Sequence, residues 1–409
     1  MPDFFHRLSW STGNQMELLH NGEQFFPALC AAIEQAKSSV HLESYIFSLD
    51  KTGESVLHHI EQACLRGVRV RVVIDGFGSQ QDLQALHERF QHLPARLRIY
   101  RPPPRRWHDP WISLRRLRRL HRKMAVIDGQ IGFIGGINIL DDFQDVPNQH
   151  GAPSPRFDYA LRCTGPIVAD MERAQHALWL RMAWRRRSDW EGFSQRLQRW
   201  LRYRQERLAA RKHPVRSGSQ ASLVLRDNVR HRRNIERAYL HLLQHAQHDV
   251  IIANAYFFPG RRLRKALKQT ARRGVQVRLL LQGHAEYFWQ YRACCALYQE
   301  LLDHGLELYE YQASYLHAKV AAIDDYAMLG SSNLDPFSLL LAREANMLIA
   351  DAQFTAQLRQ SLEQELHSHA HRVHNHTWMQ RSWLGHALDK LAYTLLRVGV
   401  WLTGKSSMY

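Results

Sequence analysis

The sequence predicts an α/β protein built from two copies of one unit, each a mixed or mostly parallel β-sheet flanked by helices. Three observations predict it. Runs that read as strands alternate with runs that read as helices through most of the 409 residues. The order of those runs before residue 128 recurs before residue 324. Both series end in one motif: His121-Arg122-Lys123 leading to Asp128, and His317-Ala318-Lys319 leading to Asp324.

Taken in order, residues 21–36 form an amphipathic helix with Phe25, Leu29 and Ile33 on one side. A strand from Ser39 to Phe47 carries Glu43 and Tyr45 near its end. A helix from Val56 to Leu65 stops at Gly67, and Val68 to Ile74 follows as a buried strand. A short strand, Leu97 to Tyr100, precedes the first motif. In the second half, Val250 to Tyr256 echoes the first strand, with Asn254 and Tyr256 in the places of Glu43 and Tyr45. Arg273-Gly274-Val275 echoes Arg66-Gly67-Val68, and Leu306 to Tyr309 precedes the second motif. The expected organisation is a first unit over 1–180, a basic Trp- and Arg-rich linker over 181–218, a second unit over 219–366 and a membrane-associating tail over 367–409. The linker holds Trp184, Trp190 and Trp200 among its arginines and breaks at Pro214 and Ser217-Gly218-Ser219.

The net charge of +17 and pI near 9.9 imply an anionic partner, a phospholipid surface or a nucleic acid. The five cysteines form no CxxC pair and read as reduced core thiols in a cytosolic compartment. Residues 1–10 lack the apolar run of a signal peptide, and no stretch has about 18 uninterrupted apolar residues, so no spanning helix is expected.

The repeated motif carries the chemistry. Residues two apart on a strand share a face, so each copy presents one imidazole beside one ammonium. A Gly-rich turn bearing an Asn follows each: Gly135 to Asn138 and Gly330 to Asn333. Two such sites on one phosphodiester allow displacement without a metal. One neutral His attacks phosphorus and a second, protonated His gives its proton to the leaving alkoxide. The two Lys and the two Asn hold the non-bridging oxygens. No metal or other cofactor is expected. The His367, His369, His371, His374 and His376 cluster reads as a solvated helix end rather than a metal site, although three of the five fall on one helical face.

These residues resemble the paired HKD motifs of the phospholipase D superfamily. The resemblance extends to Asn254-Ala255-Tyr256-Phe257-Phe258-Pro259-Gly260, to Gly330-Ser331-Ser332-Asn333-Leu334-Asp335-Pro336, and nearly to the whole chain. Within the superfamily it is strongest to the bacterial cardiolipin synthases of the B group. It implies two α/β domains packed across a pseudo-two-fold axis with the active site between them. The implied catalytic set is His121, Lys123, Asp128, His317, Lys319 and Asp324. His121 is the nucleophile, His317 the acid and later the base, and the two Asp stabilise the site. It also implies that an acid downstream of each motif orients the His of that motif, Asp158 for His121 and Glu344 for His317. Ser331 and Ser332 frame the second copy. The implied reaction joins two phosphatidylglycerols into cardiolipin and glycerol. Another donor or alcohol, such as phosphatidylethanolamine with glycerol, a nuclease of the same superfamily, and a non-enzymatic membrane scaffold are the alternatives.

Further residues follow from position. Glu43, Tyr45, Asn254 and Tyr256 sit at strand ends, where α/β sites lie, and either line an acceptor pocket or serve as core, with Glu43 paired to an arginine. The stretch 107–120, rich in Trp and Arg, reads as an interfacial helix leading into His121. Residues 383–404 read as an apolar helix too broken to span but able to lie on a bilayer. The expected partner is an anionic phospholipid membrane containing phosphatidylglycerol and cardiolipin, with no nucleic acid and no protein partner. The expected location is the cytoplasmic face of the bacterial inner membrane, held peripherally.

Overall fold

The computed structural model describes residues 4–103, 118–147, 153–184, 218–228 and 230–402. The interfacial stretch expected over 107–120 and the basic linker therefore lie almost wholly outside the described residues.

The first half runs β1 (Ser11–His20), α1 (Asn21–Glu34), β2 (Ser39–Ser44), α2 (Lys51–Leu65), β3 (Arg69–Asp75), α3 (Leu83–Gln91), β4 (Arg96–Tyr100), β5 (Met124–Ile127), β6 (Ile131–Gly135), β7 (Tyr159–Thr164) and α4 (Ile167–Trp184). The second runs β8 (Ser219–Arg226), α5 (Asn234–His245), β9 (Asp249–Asn254), α6 (Arg261–Arg272), β10 (Gln276–Gln282), α7 (Phe288–Cys295), α8 (Tyr298–Leu302), β11 (Glu307–Tyr311), β12 (Lys319–Ile323), β13 (Tyr326–Gly330), β14 (Glu344–Ala350) and α9 (Ala352–Ser368). It is followed by β15 (Ala370–Val373), α10 (Asn375–Met379) and α11 (Trp383–Leu402).

Local chemistry sets these elements. Asp50 caps α2 by accepting from the Gly53 N–H at 2.9 Å, and Asp351 caps α9 by accepting from Phe354 at 3.0 Å. Gly67 and Gly274 end α2 and α6 in the left-handed region, at φ of 83° and 88°. The arginine before each glycine reaches a carbonyl of the preceding helix: Arg66 to Ile33 at 2.9 Å, Arg273 to Leu243 at 2.8 Å.

The strands form one 15-stranded sheet, ordered β15-β11-β10-β9-β12-β13-β14-β8-β1-β7-β6-β5-β2-β3-β4, and the halves join where β1 pairs with β8. Each half is mixed, with the parallel part confined to three strands (β2-β3-β4; β9-β10-β11). The other pairings are antiparallel, because β5 and β12 return through tight turns to β6 and β13. A central core takes Met124, Val126 and Leu161 from one half and Val320, Leu329 and Met347 from the other.

The expected tail begins inside this fold: β15 pairs antiparallel with β11 at the sheet edge. For the same reason His367 and His371 do not share a helical face, since α9 ends at Ser368 and His371 lies in β15. Among the described residues, no helix is long and apolar enough to cross a membrane.

Candidate active site

Each motif begins just before its strand, at a bridge made across the halves. Leu120 pairs with Arg343 and Leu316 with Phe157. The His121 N–H donates to the Arg343 carbonyl at 2.9 Å, and the His317 N–H to the Phe157 carbonyl at 2.8 Å. These paired bonds obey a two-fold relation, and each fixes the backbone of one motif His on the opposite half.

The side chains cross in the same way. His121 Nδ1 lies 3.1 Å from Glu344 Oε1 and 3.0 Å from the Ser331 carbonyl. His317 Nδ1 lies 2.6 Å from Asp158 Oδ2. The expectation that Asp158 orients His121 and Glu344 orients His317 is therefore corrected: each carboxylate serves the other half's imidazole. The cause is the cross-half bridge, which sets Arg343-Glu344 beside Leu120-His121 and Phe157-Asp158 beside Leu316-His317. With Nδ1 held, Nε2 is the nitrogen left for chemistry. The rings keep side-chain exposures of 16% and 13%, enough to meet a substrate.

Lys123 and Lys319 each donate from Nζ to the carbonyl of their own motif His, Lys123 at 3.0 Å. Burial pushes the ammonium of Lys123 down to about 7 and that of Lys319 to about 8. An incoming phosphodiester, itself anionic, draws both back to the charged form. Burial also pushes both imidazoles below the ordinary range, His317 further.

The carboxyls differ. Burial raises Asp158 to about 7, where it accepts one backbone N–H, from Tyr159 at 2.7 Å. Burial also works against Glu344, yet the charges of His121 and Lys123 and the hydrogen bonds from His121 and Ser331 Oγ (2.5 Å) hold it below the usual range. Ser331 stands where the first half has Gly136. A side chain on Gly136 would collide with the Asp158 carboxylate.

Asp128 and Asp324 are not in this centre. Each lies past the far end of its strand, seven residues from its His, which is about 23 Å along an extended chain. Asp128, at φ 53°, accepts from the N–H groups of Lys37, Ser38 and Ser39. Asp324, at φ 46°, accepts from those of Gln247, His248 and Asp249. They staple the turn after the motif strand to the chain entering β2 and β9. Their expected catalytic membership is thus corrected to a structural one.

The other expected residues divide. The Tyr45 ring packs on His121, centroids 4.8 Å apart, with Lys123 Nζ 5.4 Å from its centre. Asn254 pairs across the sheet with Lys319 and accepts from the Leu334 N–H at 3.0 Å, and its Nδ2 is buried without a partner. Tyr256 donates to Glu286 at 2.5 Å, and Glu286 faces Arg156 at 3.7 Å. Asn138 Oδ1 accepts from Ile46, and Asn333 Oδ1 is buried without a partner. Ser332 is fully buried and spends its hydroxyl on the Asn333 carbonyl, so Ser331 is the serine on the Glu344 carboxylate.

Glu43 is turned away from the site. It faces Arg122 at 3.6 Å, on the side of the sheet opposite Lys123, because neighbours on a strand alternate. Pairing register also shows that Glu43 and Tyr45 are not the counterparts of Asn254 and Tyr256. Val40 opposes Ile127 as Val250 opposes Ile323, which places Ala253 with Glu43 and Ala255 with Tyr45. Arg122, Arg343, Arg156 and Glu286 carry no motif signal and emerge only from the fold.

A family model described as "Cardiolipin synthase, PLD-like domain" matches residues 29–142 and 239–366. The chain is 38% identical over 394 residues to cardiolipin synthase B of Salmonella typhi, covering 96% of this chain and 90% of that one. It is 36% identical over 392 residues, with the same coverage, to cardiolipin synthase B of Escherichia coli K12. The crystal structure of phosphatidylserine synthase from Haemophilus influenzae Rd KW20 shares the fold, with a TM-score of 0.68 at 16% identity over 98% of this chain and 97% of that one. The model matches in both halves and the relatives run almost end to end, so the chain belongs to the phospholipase D-like cardiolipin synthase family.

Proposed function

We propose that the protein is a phosphatidyltransferase that makes cardiolipin from two phosphatidylglycerols and releases glycerol. The observation that carries this reading is the crossed pair of imidazole–carboxylate contacts, which brings one His and one Lys from each half to a single centre. His121 Nε2 attacks the donor phosphorus as the bond from phosphorus to the glycerol oxygen breaks, and His317 gives that oxygen its proton. His317 then takes the proton of the acceptor's terminal hydroxyl as its oxygen displaces His121 from phosphorus. Lys123 and Lys319 neutralise the phosphoryl oxygens in both steps.

The two carboxyls favour these roles. Ionised Glu344 supports the positive charge that grows on His121 when it binds phosphorus. Burial raises the Asp158 carboxyl and lowers the His317 imidazole, and at 2.6 Å the two titrate as a coupled pair, as suits an acid–base partner. The halves would act as two domains, 1–180 and 219–366, with 181–218 and 367–409 contributing to lipid contact. The protein would work peripherally on the cytoplasmic face of the inner membrane, against anionic lipid.

Mass spectrometry of the products from defined phosphatidylglycerol vesicles tests the reading. Cardiolipin and glycerol in equal amounts are expected. Nicking of plasmid DNA with no cardiolipin would overturn it.

A further inference from the structure

Among the described residues, thirteen large apolar side chains are exposed, and nine of these lie on α11 or at the start of α7. On α11 they are Trp383, Leu384, Leu391, Leu395, Val398 and Trp401. Leu384, Leu391, Leu395 and Val398 follow helical spacing and form one outward stripe. The inward face is apolar too: Ala392 and Val400 are buried, and Tyr393 and Leu396 pack on the core of the second half. The helix is thus seated on one side and bare on the other. Tyr287, Phe288 and Trp289, at the start of α7, extend the bare surface.

Charge selects the occupant. The one acid of α11, Asp389, is 2% exposed and turned inward to Arg292 (3.2 Å) and Arg381 (3.1 Å). The exposed positions keep Lys390 and no acid, and half-buried Arg397 lies at the flank, 5.6 Å from the Tyr393 ring centre. A tryptophan stands near each end, at 383 and 401, where an interfacial helix places its amphipathic rings. Behind the helix lies a small pocket lined by Tyr256, Phe258, Tyr287, Tyr291, Phe337 and Leu396 among others. Its inner wall adjoins the second motif: the Ala255 N–H donates to the Ala318 carbonyl at 3.1 Å, and Gln282 accepts from the Leu316 N–H at 3.0 Å. The bare surface is therefore continuous, through an aromatic pocket, with the residues flanking His317.

We propose that the outer face of α11, together with the Tyr287–Trp289 turn, docks the protein on an anionic phospholipid bilayer and aims the second-motif side of the catalytic centre at it. The proposal rests on the phosphatidyl-transfer reading for its purpose but is tested apart from it. In flotation with phosphatidylglycerol vesicles, the full chain is expected to bind. A Leu391→Ser/Leu395→Ser double variant should bind about tenfold more weakly, since docking strength scales with the apolar area inserted. Both side chains are exposed, so the melting temperature should stay at the wild-type value, which checks folding. Cardiolipin formation from vesicles should fall in step with binding, while turnover of short-chain, monomerically dissolved phosphatidylglycerol should hold. Brominated lipids should quench wild-type fluorescence upon binding, and Trp401→Phe should lose part of that quenching. Wild-type flotation by the double variant would overturn the proposal. So would a lipid-free dimer that the double variant dissolves without loss of vesicle binding, since the face would then join two copies. Docking without any cardiolipin would instead remove the proposed reaction and leave the docking face standing.

Discussion

His121 and His317 are mates under the two-fold relation, but their surroundings differ at four places. Behind His121 stand Glu344 and Ser331; behind His317 stand Asp158 and Gly136. Tyr45 covers the His121 ring, and its register counterpart is Ala255. Beneath the first motif lies the buried pair Arg122 and Glu43, where the second motif has Ala318 and Ala253, also buried. Arg343, bonded to the Tyr100 hydroxyl at 3.1 Å, matches Phe157, which stacks on Tyr311. A duplication supplies two equal imidazoles, and these substitutions make them unequal. His121 has a charged underside and a hydroxyl-supported carboxylate from the other half, whereas His317 has an apolar underside and a carboxyl raised by burial.

The largest effect should come from removing either imidazole. His121→Ala and His317→Ala should each lower kcat by at least about 10⁴-fold. The comparison predicts different failures. His317→Ala should still form phosphohistidine from a donor with a good leaving group, such as a nitrophenyl phosphate ester, and His121→Ala should form none. Quenched-flow labelling reads this directly, and label on His317 in the wild type would reverse the roles.

The crossed carboxylates come next, at about 10²- to 10³-fold each by analogy with other carboxylate-oriented imidazoles. Asp158→Asn, although in the first half, should impair the proton transfers of His317. The sign of the pH dependence follows from its raised value. The carboxyl is protonated below about 7 and loses its proton as pH rises through it, so wild-type kcat should fall above that point. Asp158→Asn should abolish this limb. Glu344→Gln should leave it in place and slow formation of the phosphohistidine. Ser331→Gly, which makes the second turn resemble the first, removes a hydroxyl donated to Glu344. Its carboxyl pKa should rise and the acid limb move to higher pH.

Much of this centre was legible because its chemistry is local. His, Lys and the Gly-rich turn lie within 18 residues in each copy, and β/α order repeats around them. What was not legible is what the tertiary fold decides. The exchange of Asp158 and Glu344 depends on two bridges between the halves, each joining residues distant in sequence. The false match of Glu43 to Asn254 came from aligning two tyrosines, while cross-strand pairing places them one residue apart, on opposite faces. Asp128 and Asp324 recur with the motif His, yet recurrence marks a shared turn as readily as a shared reaction.

The buried Arg122–Glu43 pair offers a test of stability rather than rate. Arg122→Ala alone should cost about 3–5 kcal/mol in urea denaturation, since Glu43 would be left buried without its nearest cation. Glu43→Ala/Arg122→Ala copies the Ala253 and Ala318 of the other half and should recover most of that loss. If the double variant were as unstable as the sum of the singles, the pair would not be the coupled unit that distinguishes the halves.

The smallest effect should fall where the halves agree. Asp128→Asn and Asp324→Asn each keep one acceptor oxygen but lose the charge that gathers three backbone N–H groups. A loss of about 1 kcal/mol is expected, as for an impaired helix cap, with kcat nearly unchanged because the reacting atoms are a strand's length away. Asp128 adds a pH signature. Against a modest burial penalty, the Lys37, Ser39 and Ser38 N–H groups hold its carboxyl below the ordinary value. Its stabilising contribution is therefore present above the unfolded-state pKa, near 4, and is lost as pH falls through the lower folded value. Wild type and Asp128→Asn should differ in stability at pH 7 and converge in acid. A large fall in kcat at neutral pH with unchanged stability would instead return Asp128 to the catalytic set and remove the division between turn and centre.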